Sequence, residues 1–142
     1  MRYMPAKPYS LRLDPSTIRR LSEEAERLRV PARTLAQDLV EEGLRMRRHP
    51  GIFFVTRAAG GRYASLARRP RLKVSNVVET VQDSTGLDEA AGSLDLSRIE
   101  LGQALGYYAE FRDEIDAEIA REEEYVDREE RLWRERQGLV TR

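Results

Sequence analysis

The amino-acid sequence predicts a mainly α fold that carries one small β-hairpin. Apolar residues recur at spacings of three and four along most of the 142 residues, the period of a helix face. Apolar–polar alternation marks a short run at 9–13, and two further β-type runs lie between 52 and 67. Hydrophobic residues make up 40% and charged residues 35%, so the core must be modest. Three Phe, one Trp and six Tyr are too few for a large aromatic interior.

The first alternating run is Tyr9-Ser10-Leu11-Arg12-Leu13. A strand this short with no sheet beside it is unstable in water, so it predicts pairing with a second copy and a homodimer. Asp14-Pro15 reads as an N-cap followed by proline at the first helical position. Ile18, Leu21, Ala25 and Leu28 then share one face of a first helix, with Arg19, Arg20, Glu23, Glu24 and Arg27 elsewhere. Val30-Pro31 ends it, because proline pushes the preceding residue out of helical geometry. A second helix is expected from about Ala32 to Arg47, with Leu35, Leu39, Val40 and Leu44 inward. His49-Pro50-Gly51 stops it, and Arg45, Arg47 and Arg48 suit its negative C-terminal end.

Ile52–Thr56 is β-rich, Ala59-Gly60-Gly61-Arg62 offers turn chemistry, and Tyr63–Ala67 returns as a second strand. Three helical stretches come next, at about Val74–Ser84, at Leu87–Leu94 and from Ser97. Asp88 and Ser97 suit cap positions, and Gly86 and Gly92 punctuate. Leu101, Leu105 and Tyr108 are expected on one face of the third. From Phe111 a long acidic helix continues, with Phe111, Ile115, Ile119, Val126 and Trp133 nearly along one stripe. Glu124/Arg128, Asp127/Arg131 and Glu130/Arg134 are acid-first pairs four residues apart, each contributing about 0.2–0.5 kcal/mol to an isolated helix.

The formal net charge of zero hides a division. Residues 1–75 carry 17 Lys+Arg against 7 Asp+Glu, a balance of +10, and residues 76–142 carry 8 against 18, or −10. Such asymmetry points to a nucleic-acid-facing half and an acidic half with other duties. The alternative is that the acidic helices are a solvated face that pairs with the basic half of a neighbour. No cysteine is present, so disulfides and thiolate metal sites are excluded. No apolar run approaches the ~20 residues of a membrane span, and no signal-peptide stretch opens the chain. A cytoplasmic setting is the simplest expectation.

Strand, helix, tight break and helix within 9–48 resemble the ribbon-helix-helix repressors. The residues that carry the likeness are Tyr9–Pro15 and the Val30-Pro31-Ala32-Arg33-Thr34-Leu35 entry to the second helix. In that family two chains pair their strands and insert the ribbon into the major groove. The resemblance implies Leu11 and Leu13 toward the dimer core and Ser10 and Arg12 toward base edges, Arg being able to grip guanine at two acceptors. Arg33 and Thr34, opening the second helix, would hold phosphate through free amides and the helix dipole. Pro8 departs from the family pattern and leaves Lys7 as a phosphate contact only. The alternative for this unit is a dimerisation module with no operator.

A second likeness covers about residues 49–120. His49-Pro50-Gly51-Ile52-Phe53, Gly61-Arg62, Arg69-Pro70-Arg71-Leu72, and above all Ala104–Tyr108 with Asp113-Glu114-Ile115-Asp116, are similar to a small bacterial domain classed with VapB-type antitoxins. That family implies a homeodomain-like helix-turn-helix and a PIN-type ribonuclease toxin as partner. The third helix of the unit is poor in cations for a groove reader. Arg68, Arg69, Arg71 and Lys73 would have to supply positive charge from a flanking arm as a second DNA contact; the alternative is a packing and dimerisation domain.

A narrow apolar stripe on a charged helix suits docking into a partner groove, and Trp and Arg are enriched in binding hot spots. Tyr125, Arg131, Leu132, Trp133, Arg134 and Arg136 are therefore the toxin-binding candidates. The family implies that an Arg from this segment competes for the carboxylates that hold Mg²⁺ in the toxin. A coiled-coil or tail-to-tail dimer contact is the alternative.

Nothing in the sequence points to catalysis. One histidine, His49, with no cysteine supplies none of the usual nitrogen and sulfur ligand sets. Ala58–Arg62 lacks the spacing and lysine of a phosphate loop. No enzyme activity, metal or cofactor is expected. The expected organisation is a DNA-binding and dimerisation domain over 1–48, a hairpin plus three-helix domain over 49–112, and an acidic helical tail over 113–142. The expected function is a dimeric antitoxin that neutralises a PIN-type ribonuclease and represses its own operon. A stand-alone ribbon-helix-helix regulator is the competing class, and a structural assembly protein a third.

Overall fold

A computed structural model describes residues 5–57 and 61–141. The chain divides into two compact units, residues 1–41 and 42–142. The division falls before the boundary expected at 48, because Arg45 and Arg48 in the last turns of the second helix contact later helices of the second unit. Among the described residues there are six helices and one small antiparallel sheet, a mainly α architecture.

In the first unit, residues 5–14 carry neither helix nor strand, so the strand expected over 9–13 is not formed within the chain. Helix α1 spans Pro15–Leu28 and α2 spans Ala32–Arg48. Between them Arg29 adopts the left-handed conformation, with φ of 57°. Its N–H donates to the Glu26 carbonyl at 3.1 Å and that of Val30 to the Ala25 carbonyl at 3.0 Å. These are the two bonds of a Schellman turn, closed here without the usual glycine. Only Ala25 on α1 and Leu35 on α2 are buried.

In the second unit β1 (Ile52–Thr56), β2 (Arg62–Leu66) and β3 (Arg69–Lys73) form a meander in the order β1-β2-β3. Ile52 faces Leu66 and Thr56 faces Arg62 across the hairpin. Of the turn expected at 59–62, residues 59 and 60 lie outside the described residues. The third strand overturns the expectation of a flanking arm over Arg68–Lys73. Arg69–Lys73 holds Pro70 and reads as a poor strand, but it lies on a sheet edge, where a missing N–H breaks no ladder. Gly51 enters the sheet at φ of 94°, and its carbonyl accepts from the Ala67 N–H at 2.7 Å.

Helices α3 (Val74–Asp83), α4 (Leu87–Leu94), α5 (Arg98–Glu110) and α6 (Arg112–Val140) complete the unit. Ser97 caps α5: its hydroxyl accepts from the Glu100 N–H at 3.1 Å while the Ser97 N–H donates to the Glu100 carboxylate at 3.2 Å. A Ser-x-x-Glu spacing encodes this reciprocal box. Sheet and helices share one core, centred on Ile52, Ala64, Leu66, Val74, Val77, Val78, Leu101, Ala104, Tyr107 and Ile115. The inner face of α5 is Leu101, Ala104 and Tyr107, with Leu105 and Tyr108 packed at its margin. Ile115 and Ile119 place the first turns of α6 in this core as well, beyond the limit expected at 112.

Candidate nucleic-acid and partner interfaces

The DNA-contact candidates of the first unit are all accessible. Lys7, Ser10 and Arg12 lie exposed in the irregular segment before α1, and Arg33 and Thr34 lie exposed in the first turn of α2. Apolar side chains of the same unit are left in water beside them. Tyr9 and Leu11 precede α1, Ile18 lies on it, and Leu39 and Val40 lie on α2, each about half exposed or more. Two amphipathic helices that bury one residue each have an apolar surface still to be covered.

The second group of basic candidates is placed differently. Arg69 lies within 3.5 Å of Glu100 and 3.8 Å of Asp95, and Lys73 is paired with Glu122. Arg57 reaches Glu118 at 3.1 Å, Arg62 reaches Glu42 at 3.3 Å, and Arg48 reaches Glu110 at 3.4 Å. The basic sheet and the acidic helices thus neutralise one another within one unit. That corrects the expectation of a free basic arm, because Arg69 and Lys73 are committed to carboxylates of the same fold. Arg68, in the turn between β2 and β3, and Arg71, on the edge strand, remain exposed.

Two polar clusters tie the helices to their surroundings, and the sequence did not reveal them. Arg45 donates to the hydroxyl of fully buried Tyr107 at 2.9 Å and to Glu114 at 2.6 Å, and lies 3.9 Å from the centre of the Phe111 ring. Burial pushes the Tyr107 hydroxyl above its ordinary range, against the pull of Arg45. His49 lies 2.7 Å from the Glu110 carboxylate and meets Tyr107 edge-on at 5.3 Å. In the other cluster buried Glu118 accepts from Arg57 at 3.1 Å and from the Ser75 hydroxyl at 3.4 Å. Burial raises the Glu118 carboxyl above its usual range even with Arg57 and Lys73 nearby. Each contact joins residues more than forty positions apart, which no local pattern signals.

The partner-binding candidates lie on α6 beyond Ile119. Tyr125, Trp133, Arg131, Arg134 and Arg136 are exposed and Leu132 is half-buried. Arg134 lies 3.8 Å from Glu130. Asp127, Glu130, Arg131 and Arg134 line one shallow surface, so they share a face. At about 100° per residue, Tyr125, Leu132, Trp133 and Arg136 lie on the other side of the helix. The six candidates therefore divide between two faces. Val126, Leu139 and Val140 are also exposed, and the last two extend the apolar side beyond the residues picked from sequence.

Among the described residues, no group of three or more His, Asp or Glu side chains is arranged to hold a metal ion, and no helix is long and apolar enough to cross a membrane. No protein-family model, curated protein or solved structure matches the chain.

Proposed function

We propose that the protein is a homodimeric DNA-binding regulator of the antitoxin type, contacting DNA through its N-terminal unit and a protein partner through the end of α6. One observation carries the reading. Among the described residues the first unit buries only Ala25 and Leu35, while Leu11, Ile18, Leu39 and Val40 stay in water next to exposed Lys7, Ser10 and Arg12. A second copy would cover the apolar residues and pair the two 9–13 segments into a ribbon, which needs a partner strand to exist at all. Ser10 and Arg12 would then lie together on the ribbon, with Arg33 and Thr34 at a helix N-terminus suited to phosphate.

DNA contact is assigned to the first unit alone. The second unit has 17 Lys+Arg against 19 Asp+Glu, and Arg57, Arg62, Arg69 and Lys73 face carboxylates, so no net positive charge is left to meet a phosphate backbone. The exposed end of α6 supports a protein partner, and the resemblance to VapB-type antitoxins names its class as a PIN-type ribonuclease. Two experiments test the reading with the full chain. The protein should protect DNA upstream of its own gene from nuclease, and a small nuclease-like protein encoded next to it should co-purify. Protection without a co-purifying protein would leave a stand-alone regulator; failure of both would overturn the proposal.

A further inference from the structure

Beyond Ile119, α6 leaves the core. Residues 123–140 are all exposed except Leu132, a solvated stretch of about five turns. Most helical stability in a protein comes from packing of an amphipathic face, which this stretch lacks. Its apolar residues are ordered: Tyr125-Val126, Leu132-Trp133 and Leu139-Val140 are doublets repeating at a spacing of seven. On a helical projection the doublets flank a single line down the helix, and Glu129 and Arg136 occupy that line between them. Repeats of seven are the mark of a helix paired with a helix.

The two charges on that line decide the orientation. In a parallel pair Glu129 meets Glu129 and Arg136 meets Arg136, both repulsive. In an antiparallel pair with the two-fold axis between residues 132 and 133, Glu129 of each copy meets Arg136 of the other. The same axis sets Tyr125 against the second copy's Leu139 and Val126 against its Val140. It also brings the two Leu132 side chains together on one side of the seam and the two Trp133 side chains on the other. One register thus satisfies every apolar position and both charges, as an interface built on a two-fold requires.

We propose that the ends of α6 from two copies of this chain pair antiparallel along this stripe, with the Glu129–Arg136 contacts setting register and direction. Charged residues in a helical seam serve that purpose more than they add stability. The inference stands apart from the DNA-binding reading. A ribonuclease taking the same stripe would compete with the second copy.

The chain has one Trp, so Trp133 fluorescence reports the pairing alone. Emission should move to the blue as protein concentration rises. Glu129→Arg or Arg136→Glu alone should weaken that association about tenfold or more, because the two-fold turns two close charge pairs repulsive at once. The double variant E129R/R136E should restore it. Because the chain has no cysteine, mixing Val126→Cys and Val140→Cys chains should give mainly the mixed disulfide. Emission independent of concentration, predominance of the two like disulfides, or failure of the double swap to rescue would each overturn the proposal. Loss of DNA binding would leave all three readouts unmoved.

Discussion

The Tyr107 hydroxyl, fully buried on α5, accepts a 2.9 Å hydrogen bond from Arg45 in the last turns of α2. Without Arg45 that hydroxyl would be left in the core with no charged donor, and the Phe111 ring would lose the guanidinium stacked on it. An orphaned buried hydroxyl and a lost cation–π contact together cost about 2–3 kcal/mol. Arg45→Ala should therefore lower the stability of the second unit to urea by that amount. Arg45→Ala combined with Tyr107→Phe should cost less than the two changes separately added, since the hydroxyl is then gone. Strict additivity would show that the two residues do not act as a pair.

Leu39, half exposed on α2, belongs to the surface that a second copy is expected to cover. Leu39→Asp puts a charge there at little cost to a monomer. The N-terminal contact should then weaken by about 2–5 kcal/mol, the range for an unpaired charge in an interface. Sedimentation of this variant in an E129R background, where the α6 contact is also impaired, should show monomer. Persistence of the dimer would place its interface elsewhere.

Glu118 gives a pH dependence whose sign is set by its burial. Its folded-state pKa is raised above the ordinary 4.5, chiefly by desolvation. The group's contribution to stability is therefore full below the unfolded value and is lost as pH rises through the raised folded one. Glu118→Gln removes the titration, so the variant's melting temperature should change less than the natural protein's across that window. Equal slopes for the two proteins would show that Glu118 ionises normally.

The end of the core can be located by truncation. Ile115 and Ile119 pack among the sheet and helices, so a chain ending at Arg112 loses both. Even one buried Ile→Ala change costs about 2–5 kcal/mol, and this truncation should leave the second unit unfolded by circular dichroism. A chain ending at Glu124 keeps both residues and the Glu118 cluster, and should melt cooperatively while losing partner binding. Partner binding by the chain ending at Glu124 would move the docking segment off the end of α6.

Helices α3 to α5 were legible to within a residue or so because their ends are written locally: Ser97 with Glu100, Gly86, and the breaks between apolar runs. The β1–β2 hairpin was legible for the same reason. Strand β3 was not, since Arg69-Pro70-Arg71-Leu72-Lys73 has no β-branched residues and is held by its edge position. The charge division was visible, but its meaning was not. Arg57 with Glu118, and Lys73 with Glu122, meet only after the sheet has packed on α3 and α6. In the first unit the apolar spacing was readable, and the structure adds that this chain by itself leaves much of it uncovered.

The central claim is that exposed side chains of the 9–13 segment read DNA. Its most direct measurement is the affinity of the full chain and of Arg12→Ala for DNA upstream of the gene, at one fixed salt concentration. Removing an arginine that grips a base edge should weaken binding by about 1–3 kcal/mol and relax sequence preference at one position in each half-site. Unchanged affinity and unchanged preference would contradict the account.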